Sequence, residues 1–226
     1  MNRKLRDDPI IVLSTHHSGT SLIAEVLHRS GVFMQANRHH CESKFFARDI
    51  SNRLIMGNSA NRLRNPIMPV DEVMSKLEVV RERIEKKAYK KYVEAGYDGY
   101  SRWGFNDPCA CIVLPLYLEI FPNAQLLHVI RNENAVAAVL AANNNKAAEN
   151  NPDMEFWKDW QRQLVARARE YGSKHRQYFE FHYEDFCWRP VKVTKEIFNK
   201  LGLIFTGATE QFLRGKNLLG QDKHWI

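Results

Sequence analysis

The apolar and polar positions along the chain follow two kinds of pattern, and each kind predicts one type of element. Residues 10–14 form a short run that is apolar up to its last residue, and residues 124–130 form a second, mainly apolar run. Both runs are typical of parallel strands that are covered on two faces. Residues 178–183 alternate in polarity and predict a third strand.

Helical patterns separate and follow these strands. Residues 70–94 carry apolar side chains at spacings of three and four, which predicts one long helix with a charged face. Because strands that alternate with helices imply crossover connections, we predict an α/β fold of three layers, in which helices flank a mostly parallel central sheet. We expect a single domain over residues 1–226, since no repeat or linker is visible. A shorter helix is predicted after the first strand and ends at Gly31. An Asp107-Pro108 cap predicts the start of another helix, which includes residues 111–120. Further helices are predicted over residues 135–142, 153–172 and 190–201.

Composition narrows the class of protein. The 226 residues are 44% hydrophobic and 26% charged, as in an ordinary soluble globule. No apolar run approaches the roughly 20 residues of a membrane helix, and residues 1–9 lack the apolar stretch of a signal peptide. We therefore expect no membrane association and a cytoplasmic location. The cysteines lack the spacing of zinc knuckles and are predicted to be reduced thiols, with no metal site; they are Cys41, Cys109, Cys111 and Cys187.

The charge balance is positive, with 33 Lys and Arg against 26 Asp and Glu, a formal net charge of +7. Residues 71–94 mix basic and acidic side chains, as a solvated helix face does, and no basic run alternates with aromatic residues. Nucleic-acid binding is therefore disfavoured. A modest positive excess suits an anionic small molecule equally well.

The loop between the first strand and the next helix is a candidate anion site. Such a loop gathers backbone N–H groups and the positive end of the helix dipole around one point. Gly19 lets the backbone approach closely, and Ser18, Thr20 and Ser21 add hydroxyl donors. The P-loop of nucleoside triphosphatases requires a Lys before the final Ser or Thr, and no Lys follows Gly19. ATP or GTP hydrolysis and magnesium are thus disfavoured, and an atypical P-loop kinase remains a minor alternative.

Three motifs, in order, resemble the sulfotransferases that use 3′-phosphoadenosine 5′-phosphosulfate (PAPS). The segment His17-Ser18-Gly19-Thr20-Ser21 after a strand is similar to their 5′-phosphosulfate-binding loop, in which Lys or Arg precedes Ser-Gly-Thr-Thr. The strand that ends in Arg131-Asn132 before a helix resembles their 3′-phosphate motif. Residues 181–185, with a closing helix up to residue 203, resemble their Tyr-Glu-Asp strand and final helix. The resemblance spans about residues 10–203.

The resemblance implies PAPS as co-substrate, no metal, and transfer of its sulfuryl group to a hydroxyl or amine of a small-molecule or carbohydrate acceptor. It also implies a helical insertion on the acceptor side, over about residues 38–98. Arg131 would pair with the 3′-phosphate, and Tyr183 would contact the adenine or lie in the core. His17 would act on the leaving phosphate. The 5′ side would be held by His17, Ser18, Gly19, Thr20 and Ser21.

The chain departs from the family pattern at three positions. His17 stands where the family has Lys or Arg, so its charge depends on protonation. Val139 stands where a Ser usually provides a second 3′-phosphate ligand, and Asn106 where a Lys often precedes Asp-Pro. These departures keep a second interpretation open, a non-catalytic module that binds PAP or PAPS on the same fold.

An acceptor hydroxyl usually needs a general base. The resemblance places the base after the second strand, within residues 38–49. We favour Glu42, an acid in a polar stretch before two phenylalanines. The other candidates there are His39, His40 and Asp49. Trp157 and Trp160, on the predicted helix 153–172, are expected in the core rather than as a platform for the acceptor.

Overall fold

A parallel β-sheet forms the centre of the computed structural model, which describes residues 5, 8–35, 41–55, 67–144 and 154–216. Within these ranges the sheet has four strands in the order β2-β1-β3-β4. The strands are β1 (Ile10–Leu13), β2 (Gly104–Asn106), β3 (Gln125–Ile130) and β4 (Tyr178–His182). All neighbouring strands run parallel, which confirms the predicted α/β class.

The strand register brings the carboxyl ends of the four strands to one edge of the sheet. Val12 pairs with Asn106 of β2, Leu13 pairs with His128 of β3, and Ile130 pairs with His182 of β4. In open parallel sheets, ligands bind outside this edge. The loops that carry the three sequence motifs all begin there.

Nine α-helices and one π-helix surround the sheet within the described ranges. They are α1 (Thr20–Arg29), the π-helix (Lys44–Ile55), α2 (Val70–Met74), α3 (Leu77–Glu94), α4 (Ala110–Ile120), α5 (Glu133–Asn144), α6 (Met154–Gly172), α7 (Tyr183–Trp188), α8 (Pro190–Leu201) and α9 (Gly207–Arg214). No helix in the described part of the chain has the length and apolar character needed to cross a membrane.

Helices pack on both faces of the sheet, through one apolar cluster on each face, so the fold has three layers. Ile11 and Leu13 of β1 pack into the cluster formed with the π-helix and helices α2 to α6. Ile10 and Val12 point the other way, into the cluster formed with α1, α7, α8 and α9. This alternation follows from the two-residue period of a strand, and the burial of both faces explains why β1 is wholly apolar.

Several boundaries differ from the predictions. The predicted helix 70–94 is interrupted between α2 and α3, where the Ser75 hydroxyl donates to the carbonyl of Glu72. The strand predicted up to Tyr183 ends at His182, because Tyr183 begins α7. The predicted helix cap Asp153 lies outside the described residues. Four elements were not predicted, namely β2, the π-helix, α7 and α9.

Candidate functional site

Residues 14–19 connect β1 to α1 in a tight loop at the carboxyl edge of the sheet. The Ser14 hydroxyl donates to the carbonyl of Val129 on β3, at 2.6 Å. The hydroxyls of Thr15 and Ser18 share a hydrogen bond of 2.7 Å inside the loop. His17 and Gly19 both adopt positive φ, 61° and 85°, which is the left-handed region that favours glycine. The loop is therefore fixed by a hydrogen bond between two of its own side chains and by a hydrogen bond to β3.

The N-terminus of α1 faces the candidate anion site. Gly19 is its N-cap residue, and its carbonyl accepts from the N–H groups of Leu22 and Ile23. Thr20 and Ser21 lie in the first turn, where backbone N–H groups lack partners within the helix and the dipole is positive. Ser18 is buried, and its hydroxyl faces Thr15. What the loop offers to an anion is thus its backbone and the residues at the helix start.

Arg131 follows β3 and reaches back to this loop. Its side chain is 8% exposed, and its Nη1 donates to the carbonyl oxygen of His17 at 2.6 Å. The structure therefore brings together two motifs that the sequence places far apart. A guanidinium beside a helix N-terminus creates a positive region matched to phosphate or sulfate oxygens.

Tyr183, the first residue of α7, packs directly on the loop. A Cβ atom built on Gly19 would lie 2.1 Å from Cε2 of the Tyr183 ring. The guanidinium carbon of Arg131 lies 5.4 Å from the centre of the same ring. The Tyr183 ring therefore contacts Gly19 and lies near Arg131. Because the ring approaches the backbone of Gly19 so closely, position 19 requires a residue without a side chain.

The peptide unit between Arg131 and Asn132 is held by side chains from two helices. Gln161 Nε2 of α6 donates to the Arg131 carbonyl at 2.8 Å. Glu184 of α7 accepts from the Asn132 N–H at 2.7 Å. The Asn132 side chain then caps α5 by accepting from the N–H groups of Asn134 and Ala135. Sequence reasoning missed the role of Gln161, for which the pattern gives no signal.

The loop also rests on an aromatic residue of α6. The rings of His16 and Trp160 stack at 6.4 Å between centroids with an interplanar angle of 29°. Trp157 and Trp160 are both buried, which confirms their prediction as core residues. Trp160 thereby supports the loop from the face that carries α4, α5 and α6.

Asn106, the last residue of β2, is buried with neither atom of its side-chain amide hydrogen bonded. The side chain of the next residue, Asp107, has several hydrogen-bond partners. Its carboxylate accepts from Ser51 and Tyr117 hydroxyls and from the Cys109 N–H, while burial raises its pKa. The backbone around Asn106 is therefore fixed, and its amide lies at the carboxyl edge beside β1.

Glu42 lies next to the end of β2. The neighbouring Ser43 donates its N–H to the carbonyl of Asn106 at 3.0 Å, and Glu42 itself is half-buried. Asp49 lies on the π-helix beside Arg53, with 3.6 Å between their charged groups. His39 and His40 lie outside the described residues. Val139, on α5, is half-buried.

Two open clefts adjoin these elements. One, of about 650 Å³, is bordered by Arg131, Asn132, Gln161 and Glu184. A larger groove of about 880 Å³ lies between α7, α8 and α9 and ends at Lys216. The loop residues 17–21 line neither, so the position of the candidate site follows from the converging motifs rather than from cleft size. The four cysteines, all within the described ranges, form no disulfide.

The fold and the converging motifs define the class of protein first, an α/β domain whose candidate anion-binding loop connects the first strand to the first helix. The sequence profile of the sulfotransferase family then matches residues 9–207, most of the chain. The protein belongs to the sulfotransferase family. No curated protein matches the sequence.

Solved structures share the fold at low sequence identity. The sulfotransferase domain of the olefin synthase of Synechococcus PCC 7002 superposes with a TM-score of 0.60 and 17% identity, covering 99% of this chain and 89% of that one. The sulfotransferase domain from the curacin biosynthetic pathway gives 0.59 and 15%, covering 92% and 77%. Mouse sulfotransferase SULT7A1, solved in complex with PAP, gives 0.51 and 13%, covering 93% and 63%. The fold is thus that of the P-loop sulfotransferases.

Proposed function

We propose that this protein transfers the sulfuryl group of PAPS to a hydroxyl or amine of a small-molecule or carbohydrate acceptor. The observation that carries the proposal is the hydrogen bond from Arg131 to the His17 carbonyl, because it joins the two motifs that resemble the 3′-phosphate and 5′-phosphosulfate sites. The PAP complex of mouse SULT7A1 supports the choice of nucleotide.

The residues at the carboxyl edge fit a nucleotide with two anionic ends. The backbone at Gly19 and the first turn of α1, with Thr20 and Ser21, would hold the 5′ side. The Arg131 guanidinium would pair with the 3′-phosphate. Tyr183, which packs on Gly19 and near Arg131, is adjacent to both and would contact the nucleoside.

PAPS supplies an activated sulfuryl group, and the chain supplies position and charge. Transfer through a loose transition state depends on alignment and on neutralising the charge that develops on the leaving phosphate. His17 is exposed within the loop and would donate to that phosphate when protonated. Glu42, beside the end of β2, would accept the proton of the acceptor hydroxyl.

A second candidate function is binding of PAP or PAPS without turnover. Two observations favour it: apolar Val139 of α5 stands where the family pattern usually has a Ser ligand for the 3′-phosphate, and exposed His17 stands where the pattern has Lys or Arg. Relative to the family pattern, the first departure removes a hydroxyl donor, and the second replaces a fixed positive charge with one that depends on protonation. The two functions share the nucleotide site and differ only in transfer.

A transfer assay with labelled PAPS and pooled acceptors distinguishes them. Labelled product from the wild type, strongly reduced in His17→Ala, is the result expected for a sulfotransferase. Tight PAP binding without product on a broad panel would support the binding module instead. Magnesium-dependent ATP binding without PAP binding would replace both with a kinase.

A further inference from the structure

The peptide unit between Arg131 and Asn132 has both of its polar groups bound by side chains. Gln161 donates to its carbonyl at 2.8 Å, and Glu184 accepts from its N–H at 2.7 Å. The last strand pairing before it is Ile130 with His182, so this peptide lies beyond the sheet. Backbone groups there need other partners, and α6 and α7 each provide one. The orientation of the peptide that carries Arg131 is therefore set from two sides.

Only one of the two polar atoms of the Gln161 side-chain amide has a hydrogen-bond partner among the described residues. Its side chain is 3% exposed, and its Oε1 is buried without a hydrogen-bond partner. A buried polar atom without a partner destabilises a fold, whereas a leucine or methionine of similar size would not carry that penalty. The glutamine is thus poorly explained by packing alone. It is explained by the hydrogen bond that it gives to Arg131.

The neighbours of Gln161 on α6 contact the same region. Trp160 stacks on His16 of the loop, at 6.4 Å between ring centroids. Arg162 forms two hydrogen bonds, of 2.7 and 2.6 Å, with the Glu133 carboxylate at the start of α5. Residues 160–162 therefore link α6 to the loop, to Arg131 and to α5. One helix therefore contacts both candidate anion-binding motifs.

We propose that Gln161 is a positioning residue for Arg131, and that through this contact α6 sets the distance between the 3′ and 5′ anion sites. The consequence is selectivity for a nucleoside with phosphate at both positions over one with a 5′-phosphate alone. This inference rests on the proposed function, because it assigns the two anion sites to one nucleotide.

The test compares PAP with 5′-AMP by calorimetry on the full chain. Gln161→Leu removes the donor to Arg131, and loss of one hydrogen bond corresponds to about fivefold to tenfold in affinity. We expect PAP binding to weaken by that factor while AMP binding stays unchanged. Gln163→Leu is the matched control, because Gln163 lies two positions further on α6, is exposed and bonds only to Asp159 among the contacts resolved for it.

A double mutant of Gln161 and Arg131 distinguishes a positioning role of Gln161 from general destabilisation of the fold. In the background of Arg131→Ala, Gln161→Leu should have no further effect on PAP affinity, since the group that it positions is gone. Thermal unfolding of each variant reports the fold, and Gln161→Met carries the same test if the leucine variant fails to fold.

The outcomes are distinct. Unchanged PAP affinity in Gln161→Leu, or an equal loss for PAP and AMP, would overturn this inference and leave the proposed function standing. Failure of the wild type to bind PAP would overturn the proposed function and, with it, this inference.

Discussion

The guanidinium of Arg131 donates a hydrogen bond to the carbonyl oxygen of His17, 2.6 Å away, across 114 positions of sequence. Arg131 sits at the end of a central strand, and His17 is a loop residue with positive φ. One side chain therefore both contacts the loop and places positive charge beside it. The same contact joins two separate motifs at the carboxyl edge of the sheet, where we propose the nucleotide site.

Gly19→Ala should disrupt the site. The left-handed backbone at φ 85° strains any other residue, and the added Cβ would lie 2.1 Å from the Tyr183 ring. We expect a loss of about 1–3 kcal/mol in the free energy of unfolding from strain, with further loss from displacement of the ring, and weaker PAP binding. Chemical denaturation and calorimetry measure the two effects.

Gly31→Ala is the control for that substitution. Gly31 has a similar φ of 93°, and a Cβ there meets nothing within 4 Å. It should share the backbone strain and leave PAP affinity unchanged. Equal loss of PAP binding in both variants would refute the role of the contact between Gly19 and Tyr183.

Asn106→Leu should stabilise the protein. The replacement keeps the backbone pairing of β2 and removes a buried amide that has no hydrogen-bond partner, which is worth about 1–3 kcal/mol. Denaturant titration of the variant should show a higher free energy of unfolding. Asn134→Leu, at an exposed position of α5, should change it by less than about 0.5 kcal/mol. Destabilisation by Asn106→Leu would show that the amide is satisfied.

His17→Lys should reduce the pH dependence of PAP binding. An imidazole loses its charge between pH 5 and 8, whereas a lysine keeps it. PAP affinity of the wild type should therefore fall more between pH 6 and pH 8 than that of the variant, in parallel calorimetric titrations. Identical pH profiles would remove His17 from the vicinity of the phosphates.

His128 should make stability depend on pH. It is buried on β3, and its Nδ1 lies 2.7 Å from the Tyr178 hydroxyl, which donates to Glu180. Burial lowers the pKa of His128, although the nearby carboxylate of Glu180 opposes this shift. The unfolded chain then binds a proton that the folded chain does not, so stability falls as pH drops below about 6.5.

His128→Gln tests this sign. Between pH 7.5 and pH 5.5, the free energy of unfolding of the variant should fall less than that of the wild type. Glu180 acts in a lower window: hydrogen bonds from His128 and Arg169 hold its pKa below the usual range, so its contribution is lost only below about pH 4.5. A steeper fall in the variant would contradict the assignment.

The fold could be predicted where burial shapes the local pattern. Strands β1 and β3 are covered on both faces and therefore form apolar runs in the sequence. Strand β2 has only three residues, too few to show a period, and it forms through its pairing with β1. The break between α2 and α3 coincides with a Ser75 side-chain bond that hydrophobic spacing does not encode.

Part of the candidate site could be predicted from local sequence motifs, and part of it could not. The loop 17–21, Arg131 and Tyr183 stand in recognisable local motifs, and the structure brings them together. Gln161 stands within a helix, 30 positions from Arg131, and Glu184 bonds to Asn132 across 52 positions. Such pairings depend on how α6 and α7 pack against the sheet, so no single sequence window contains them.

Calorimetric titration of PAP into the wild type and Arg131→Ala tests the central claim most directly. Arg81→Ala, on α3, serves as the control, because the Arg81 guanidinium contacts Glu78 and the Glu119 carbonyl. We expect the wild type and the control to bind PAP alike, and Arg131→Ala to bind about tenfold or more weakly, because a charge-assisted contact to phosphate is lost. No binding by the wild type, or unchanged affinity in Arg131→Ala, would contradict the account.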